Sequence, residues 1–317
     1  MFNKGVIFAL VAMGFAFARS ANAEDCALKQ MASLSIQTLP DGTIAVPAAV
    51  DGHEGLFVVR LDDRYTKVVG AVLNQLNVGP VELPRGGNIE GSRALLTVPH
   101  FKIANLDIAK VPVLWVEHDF PEAGVIGSLG TDLLGEFDVE LDLRHSKLNL
   151  FSPDHCPGHV VYWTNSVASA IPFDFDAMHT VVFDADLDGK PLKVGISTLP
   201  GHGTLRPDIA YGVLGLPAPP SHPPDTAITV DKAAPTTQTF KTLTIGGITI
   251  SNPKIDIAGV TIEGLKCDGQ SHSFHGMYIR CLDDVGFHIR LSEISALRMY
   301  FAFHEKMLYV TPASASQ

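Results

Sequence analysis

The sequence is short of basic residues. Its 317 residues include 23 lysines and arginines against 34 aspartates and glutamates, which gives a formal net charge of −11 at pH 7. Nowhere along the chain do lysine and arginine cluster. Because nucleic acids and anionic membranes are bound through clustered positive charge, neither is an expected partner. Glycine-rich phosphate-binding motifs and dinucleotide fingerprints are missing too, so we expect no cofactor.

Long hydrophobic runs are also missing, apart from one near the N-terminus. Lys4 precedes an apolar run over residues 6–17, and Ala21-Asn22-Ala23 follows. The run is well short of the roughly 20 residues that span a bilayer, and this order is typical of a secretory signal peptide. We therefore expect cleavage of residues 1–23, export to the periplasm or medium, and no membrane span afterwards. The alternative is a retained N-terminal anchor.

Cysteine is scarce. In an exported protein, an even number of cysteines favours disulfides over metal ligation. Three pairings are possible, and the simplest joins the two close cysteines of the C-terminal half and leaves the other two to each other. His272 and His275 lie within the C-terminal pair, but their spacing matches no common zinc site, so we predict no metal. The expected disulfides are Cys26–Cys156 and Cys267–Cys281.

Helical patterns are few and short, whereas strand patterns dominate. Alternating or continuous apolar runs, separated by Asp-Gly, Gly-Gly and Pro, predict strands. They occupy residues 43–50, 55–59, 101–108 and 137–143. Short helices are predicted over residues 69–76, 130–135, 207–214 and 291–297. These patterns predict an all-β fold.

The order of the patterns occurs twice. Val50-Asp51-Gly52-His53 recurs as Leu187-Asp188-Gly189-Lys190, and an apolar run follows each copy. A spacing of roughly 137 to 160 residues is far too long for a solenoid repeat and fits the duplication of a whole β domain. We place the domains at residues 24–157 and 158–317.

These ordered features resemble the exported retropepsin-like aspartic peptidases, whose chains carry two copies of the retroviral-type protease domain. Residues 127–134 match the family's Leu-Gly helix motif, and residues 138–142 with 148–151 match its closing hairpin. The resemblance implies two retropepsin-like or pepsin-like acid-protease β-barrel domains that face each other across a central cleft.

The residues expected to carry the family's chemistry are replaced. Each domain of such an enzyme supplies one Asp from an Asp-Thr-Gly loop, and the two carboxylates share one proton. Eight residues beyond Gly52 this chain has Arg60, and eight beyond Gly189 it has Ser197. On this register both acids are gone. We therefore expect a monomeric, catalytically inactive homologue that binds a peptide or protein in its cleft.

Two alternatives remain open. A shift of two residues would make Asp62 a catalytic acid, so the protein would be an active aspartic-type endopeptidase or another hydrolase. The second half offers it no partner, because no Asp or Glu lies between Gly189 and Pro207. The other alternative is a structural envelope protein without a defined ligand.

Two further patterns have plainer interpretations. Asp62-Asp63-Arg64 is typical of a solvated turn with local ion pairing to Arg60 or Arg64, and exposed pairs of this kind contribute little stability. Ser197 precedes His202 by five residues, but no Gly-x-Ser-x-Gly elbow surrounds it. We therefore interpret Ser197 as filling the position of a lost Asp and not as a nucleophile.

Overall fold

The described residues form strands and single-turn helices. The computed structural model describes residues 28–76, 81–82, 94–116, 120–155, 157–165, 168–176, 179–217, 229–230, 235–258, 260–261, 271–274, 277–280 and 285–314. Among these residues no helix is long and apolar enough to cross a membrane. The predicted all-β fold is confirmed.

The first lobe is a closed barrel. Its strands β3, β4, β9, β5, β8 and β7 are neighbours in that order, and β7 returns to pair with β3. β4 runs parallel to β9, and β5 runs antiparallel along the other side of β9. The elements are β1 (Gln30–Ser35), β2 (Gln37–Thr38), β3 (Ile44–Val50), β4 (His53–Val59), β5 (Lys67–Val69), α1 (Gly70–Leu73), β6 (Val81–Glu82), β7 (Ala94–Ile103), β8 (Leu106–Val116), β9 (Val125–Leu129), α2 (Thr131–Leu134), β10 (Asp138–Asp142) and β11 (Lys147–Phe151).

The second lobe repeats the same pairings. The hairpin β14–β15 corresponds to β3–β4, β15 runs parallel to β25, and β16 runs antiparallel along the other side of β25. The elements are β12 (Ser169–Pro172), β13 (Asp174–Phe175), β14 (Val181–Leu187), β15 (Lys190–Ile196), β16 (Gly203–Leu205), a π-helical turn (Asp208–Val213), β17 (Thr229–Val230), β18 (Thr236–Thr239), β19 (Thr242–Ile245), β20 (Ile248–Ser251), β21 (Lys254–Ile257), β22 (Val260–Thr261), β23 (Ser271–Phe274), β24 (Met277–Arg280), β25 (Phe287–Ile289), α3 (Leu291–Ile294), β26 (Leu297–Ala302) and β27 (Met307–Pro312).

A six-stranded antiparallel sheet joins the lobes. Its order is β1-β11-β10-β26-β27-β12, and the central pair β10–β26 takes one strand from each lobe. Glu140, at the centre of β10, is fully buried. It pairs with Arg298 of β26 at 2.5 Å and accepts hydrogen bonds from Asn149 at 2.8 Å and Tyr162 at 2.6 Å. The buried charge is therefore compensated from both lobes, as burial of a carboxylate requires.

The structure corrects one predicted strand. Residues 101–108 were expected to form a single strand, but they form the turn of the β7–β8 hairpin. Ala104 adopts a φ of +52° there. Phe101 pairs with Ile108, and Ile103 pairs with Leu106 across the hairpin. The apolar alternation continues through the turn because both arms present the same face to the core, so periodicity alone does not separate them.

The remaining predictions divide into two groups. All four predicted helices are confirmed, and each is shorter than its pattern. The signal segment 1–23, the four cysteines and His275 lie outside the described residues, as do residues 83–93 and most of 216–235. The disulfide pairing, the cleavage and the domain boundary near residue 157 stay predictions.

Candidate site between the two lobes

Each lobe contributes one loop to the junction between them. The first loop, residues 60–67, connects β4 to β5, and the second loop, residues 197–204, connects β15 to β16. Arg60 opens the first loop, and Ser197 opens the second. Each range has eight residues and runs into the following strand, since β5 begins at Lys67 and β16 begins at Gly203, and the strands that the two loops join are equivalent.

Main-chain hydrogen bonds show that the two opening residues are equivalent. Arg60 N donates to Leu129 O, the last residue of β9, at 3.0 Å. Ser197 N donates to Ile289 O, the last residue of β25, at 2.9 Å. Arg60 and Ser197 therefore occupy the same position in the two lobes.

Thr198 ties the two loops together. Its side chain is fully buried. The hydroxyl donates to Val59 O at 2.6 Å and accepts a hydrogen bond from Leu61 N at 3.2 Å, and both groups belong to the opposite lobe. Leu61 is the equivalent residue of the first loop, and its aliphatic side chain offers no hydrogen bond in return. Of these two equivalent residues, only Thr198 binds the opposite lobe through side-chain hydrogen bonds.

Asp62 lies at the centre of the junction in an ion pair. Arg60 donates to it through Nε at 3.0 Å and Nη2 at 3.1 Å, and Ser197 Oγ donates at 2.9 Å. Burial opposes ionisation of Asp62, whose side chain is 11% exposed. The hydrogen bonds and charge of Arg60, with the Ser197 hydroxyl, outweigh that cost and hold the pKa of Asp62 below its ordinary value. Asp62 is a carboxylate at neutral pH.

The expectation of a solvated turn is wrong in part. Asp62 does pair with Arg60, but both acids are largely buried. Asp63 is 7% exposed, and Lys67 Nζ contacts its carboxylate at 2.5 Å. Burial follows from the helix behind the loop, because Thr131 N donates to Asp63 O at 2.9 Å and brings α2 over the turn.

Two lobes with the same strand pairings share one sheet, and each places one loop at the junction. The chain has the fold of the two-lobed aspartic proteases. Among solved structures it is similar to an aspartic proteinase from Irpex lacteus, with 12% identity and a TM-score of 0.49 over 90% of this chain and 98% of that chain.

Two other solved structures are also similar. Basic 7S globulin from soybean has 10% identity and a TM-score of 0.48 over 92% of this chain and 98% of that chain. A retropepsin-like aspartic protease from Rickettsia conorii has 16% identity and a TM-score of 0.30 over 40% of this chain and 96% of that chain. No protein-family model and no curated protein matches the sequence.

The Ser197 hydroxyl is committed to the loop itself. It donates to Asp62 and accepts from Leu199 N at 3.2 Å. A nucleophilic serine needs a base that takes its proton, and a carboxylate with a lowered pKa is a poor one. His202, considered as that base from the sequence, is not a hydrogen-bond partner of Ser197 Oγ. In the part of the chain that the structure describes, no group of three or more His, Cys, Asp or Glu residues could hold a metal ion.

A carboxylate fastens each loop from behind. In the first lobe, Thr66 Oγ1 donates to Asp132 at 2.7 Å and accepts from Gly130 N at 3.1 Å. In the second lobe, Glu293 is hydrogen-bonded to the backbone of Gly203 and also accepts a hydrogen bond from Arg290 N at 2.9 Å. Burial raises the pKa of both Asp132 and Glu293 despite these bonds. The loops are thus held by similar means with different residues.

The residue that precedes α2 and the residue that precedes α3 differ sharply in the space available for a side chain. A Cβ atom at Gly130 would lie 2.4 Å from the backbone carbon of Tyr65, so only glycine fits there. The equivalent residue is Arg290, with φ −123° and ψ −170°, an extended conformation open to any residue.

A cavity of about 230 Å³ opens beside the ion pair. Asp62 comes from the first lobe, and the other lining residues come from the second. The imidazole of His288 lies over Gly195, where a Cβ atom would be 2.5 Å from its Cδ2 atom. The full lining is Asp62, Asp176, Thr180, Ser197, Leu199, Thr204, His288 and Arg290.

Sequence reasoning missed Asp176, Thr180 and His288. Thr180 N donates to Asp176 Oδ1 at 2.8 Å within a loop that precedes β14. One signal was available for His288, because it stands between buried Phe287 and Ile289 in a three-residue strand. Alternation on a strand places such a histidine on the face opposite the core. Nothing in the sequence connected Asp176 to the second loop.

Proposed function

We propose that this protein keeps the aspartic-protease fold without the peptidase reaction and binds a peptide, or an extended segment of a protein, in the cleft between its lobes. One observation carries the proposal. At the two positions where the catalytic acids would stand, the chain has Arg60 and Ser197, and the nearby Asp62 is bound to both.

The chemistry of the junction supports the loss of activity. Peptide hydrolysis in this fold needs two carboxylates about 3 Å apart that share a proton, so that one activates water while the other donates to the scissile carbonyl. The two junction loops bring together a guanidinium, a hydroxyl and one carboxylate. Because the pKa of Asp62 is lowered by its partners, it is a weak base and does not hold the proton that the carbonyl would need.

The small volume of the cavity supports a ligand that extends beyond it. Small-molecule sites usually enclose about 300–1,000 Å³, and this cavity encloses about 230 Å³. It suits one side chain or terminal group of a ligand whose remainder lies along the cleft. Extended peptides can be held there by their backbone hydrogen bonds, which do not depend on a catalytic dyad.

The location and the assembly belong to the proposal as well. The charge, apolar run and small residues over 1–23 support export to the periplasm or medium. A cleft formed by both lobes of a single chain supports a monomeric binding unit, since each lobe already has its counterpart.

A cleavage assay tests the proposed inactivity. The purified protein is incubated with a denatured protein mixture from pH 3 to 7, alongside the Asp62→Asn and Asp63→Asn variants. We expect no cleavage by any of the three. Cleavage that the Asp62→Asn variant loses and the Asp63→Asn variant keeps would overturn the proposal and establish a hydrolase that uses Asp62.

A binding assay tests the ligand. Immobilised protein is exposed to a pool of random ten-residue peptides, and retained peptides are titrated in solution. Saturable binding supports the proposal and eliminates a purely structural protein without a ligand. Absence of saturable binding to any peptide would favour that structural role.

A further inference from the structure

We propose that the cavity beside Asp62 binds a carboxylate group of the ligand through Arg290. The inference rests on the proposed binding of a peptide in the cleft and specifies the chemistry that the cavity selects.

The charge of Arg290 has no counter-ion among the described residues. Its main-chain N–H donates to Glu293, but its guanidinium makes no hydrogen bond or ion pair in this part of the chain, and its Nε atom is buried without a partner. Two other arginines behave differently, since Arg60 pairs with Asp62 and Arg298 pairs with Glu140. A partly buried cation without an acid is unfavourable, so this one is suited to an anion supplied from outside.

Neither acid that lines the cavity forms an ion pair with Arg290. The carboxylate of Asp62 is taken by both nitrogens of Arg60 and by the Ser197 hydroxyl. Asp176 accepts a hydrogen bond from Thr180 N, and no ion pair joins it to Arg290. The guanidinium of Arg290 is therefore available to an acid that a ligand supplies.

A hydroxyl in the same cavity adds a second donor. Thr204 Oγ1 is buried and has no hydrogen-bond partner among the described residues. Thr204 pairs with His288 across β16 and β25, so the hydroxyl and the imidazole belong to neighbouring positions of one sheet. A carboxylate accepts several hydrogen bonds at once, and bonds with a charged partner are the stronger ones.

The positive charge of Arg290 has no counterpart at the equivalent position of the first lobe. The first lobe requires Gly130 because the Tyr65 backbone fills the space of a side chain. The second lobe has room for a side chain at the equivalent position and uses that room for Arg290. The ligand's carboxylate therefore has a fixed side of the cleft to bind, which would set the direction of an extended peptide.

Three synthetic peptide pools test this inference at pH 7. All contain ten residues and share the same uncharged composition outside their central positions. The first has Asp or Glu at its central positions and an amidated C-terminus, the second has Asn or Gln there with an amidated C-terminus, and the third has Asn or Gln with a free C-terminal carboxylate. Affinities are measured by fluorescence anisotropy for the unaltered protein, for Arg290→Gln and for the control Lys190→Gln, which removes one exposed charge from the β14–β15 turn.

We expect at least one carboxylate-bearing pool to bind about tenfold to a hundredfold more tightly than the neutral pool. Whether the first or the third pool gains identifies a side chain or a C-terminus as the source. The Arg290→Gln variant should lose this preference and keep the weaker binding of the neutral pool, while Lys190→Gln keeps both.

The results separate two kinds of failure. Equal affinity of all three pools for the unaltered protein would overturn the role of Arg290 and leave peptide binding intact. If no pool binds, the proposed function itself fails and the inference falls with it. The comparison of pools on the unaltered protein does not depend on whether a variant folds.

Discussion

The first loop, residues 60–67, and the second loop, residues 197–204, follow the same path between equivalent strands but carry different chemistry. The first holds an ion pair between Arg60 and Asp62, and the second presents the hydroxyls of Ser197 and Thr198. Their paths are fixed by main-chain bonds to β9 and β25, which any side chain permits. The two loops therefore keep equivalent backbone paths although their side chains differ.

The carboxylates that fasten the two loops likewise act through different residues in the two lobes. In the first lobe a threonine hydroxyl links Gly130 to Asp132, whereas in the second lobe Glu293 receives the main-chain N–H of Arg290. Each lobe buries one carboxylate to fasten its loop. What differs is the space left at the residue before the helix, and this difference admits a cation to one side of the cleft.

The largest expected effect comes from filling that space in the first lobe. Gly130→Ala should cost about 3 kcal/mol of unfolding free energy, because the new methyl group would overlap the Tyr65 backbone. Arg290→Ala, at the equivalent position, should change stability by less than about 0.5 kcal/mol. Urea unfolding measures both. Similar losses in the two lobes would contradict the asymmetry.

A smaller loss should follow removal of the bridge between the loops. Thr198→Val should cost about 2 kcal/mol, because it leaves the buried Leu61 N–H and Val59 carbonyl without their partner. Thr204→Val is the matched control, since its hydroxyl has no hydrogen-bond partner to lose within the described part of the chain. Thermal unfolding of both variants measures the difference. A control that is as unstable as Thr198→Val would show that the bridge is not the cause.

Breaking the ion pair should have a moderate effect. Arg60→Gln should cost about 1 kcal/mol of unfolding free energy at pH 7, because it leaves the largely buried carboxylate of Asp62 without its cation. The pKa of Asp62 should then rise above its present value, which NMR titration of the carboxyl carbon can follow. The exposed pair of Arg206 with Asp208 supplies the control, and Arg206→Gln should cost less than about 0.5 kcal/mol. An unchanged Asp62 pKa would contradict this account.

The smallest effects concern pH, and they should have opposite signs. The folded pKa of Asp62 is lowered, so its stabilisation relative to Asp62→Asn is complete above the ordinary value of 3.8 and is lost as the pH falls further. The folded pKa of Glu293 is raised, so stability relative to Glu293→Gln is greatest below the ordinary value of 4.5 and declines as the pH rises through it.

Chemical unfolding of the protein and the two variants between pH 3 and 7 measures this contrast. The difference for Asp62→Asn should grow with pH, and the difference for Glu293→Gln should shrink. Two slopes of the same sign would contradict the environments that the structure gives these carboxyl groups.

Part of the site could be predicted from the sequence because the geometry is local. The hairpins β3–β4 and β14–β15 both turn at Asp-Gly, with Asp51 and Asp188 at positive φ. A fixed count from each turn therefore leads to Arg60 and Ser197. The helix at Gly130 was equally visible in its motif.

Other features depend on contacts between distant segments and left no pattern in the sequence. Asp176 reaches the cavity through the loop before β14, and α2 covers Asp63 from 68 residues away in the chain. The burial of the acids and the pairing of Asp63 with Lys67 were therefore missed, although the pairing of Asp62 with Arg60 was predicted. The β7–β8 turn was missed for another reason: the same alternation of apolar residues continues through both arms of the hairpin.

The shared sheet has a consequence for any attempt to divide the molecule. β10 and β26 hydrogen-bond to each other along Val139–Leu141 and Met299–Phe301. Cutting the chain between the halves and separating them would expose a bare strand edge on each, with a row of unsatisfied N–H and C=O groups. Halves produced in separate hosts should reassemble on mixing, and a half kept alone should pair with its own copies or precipitate.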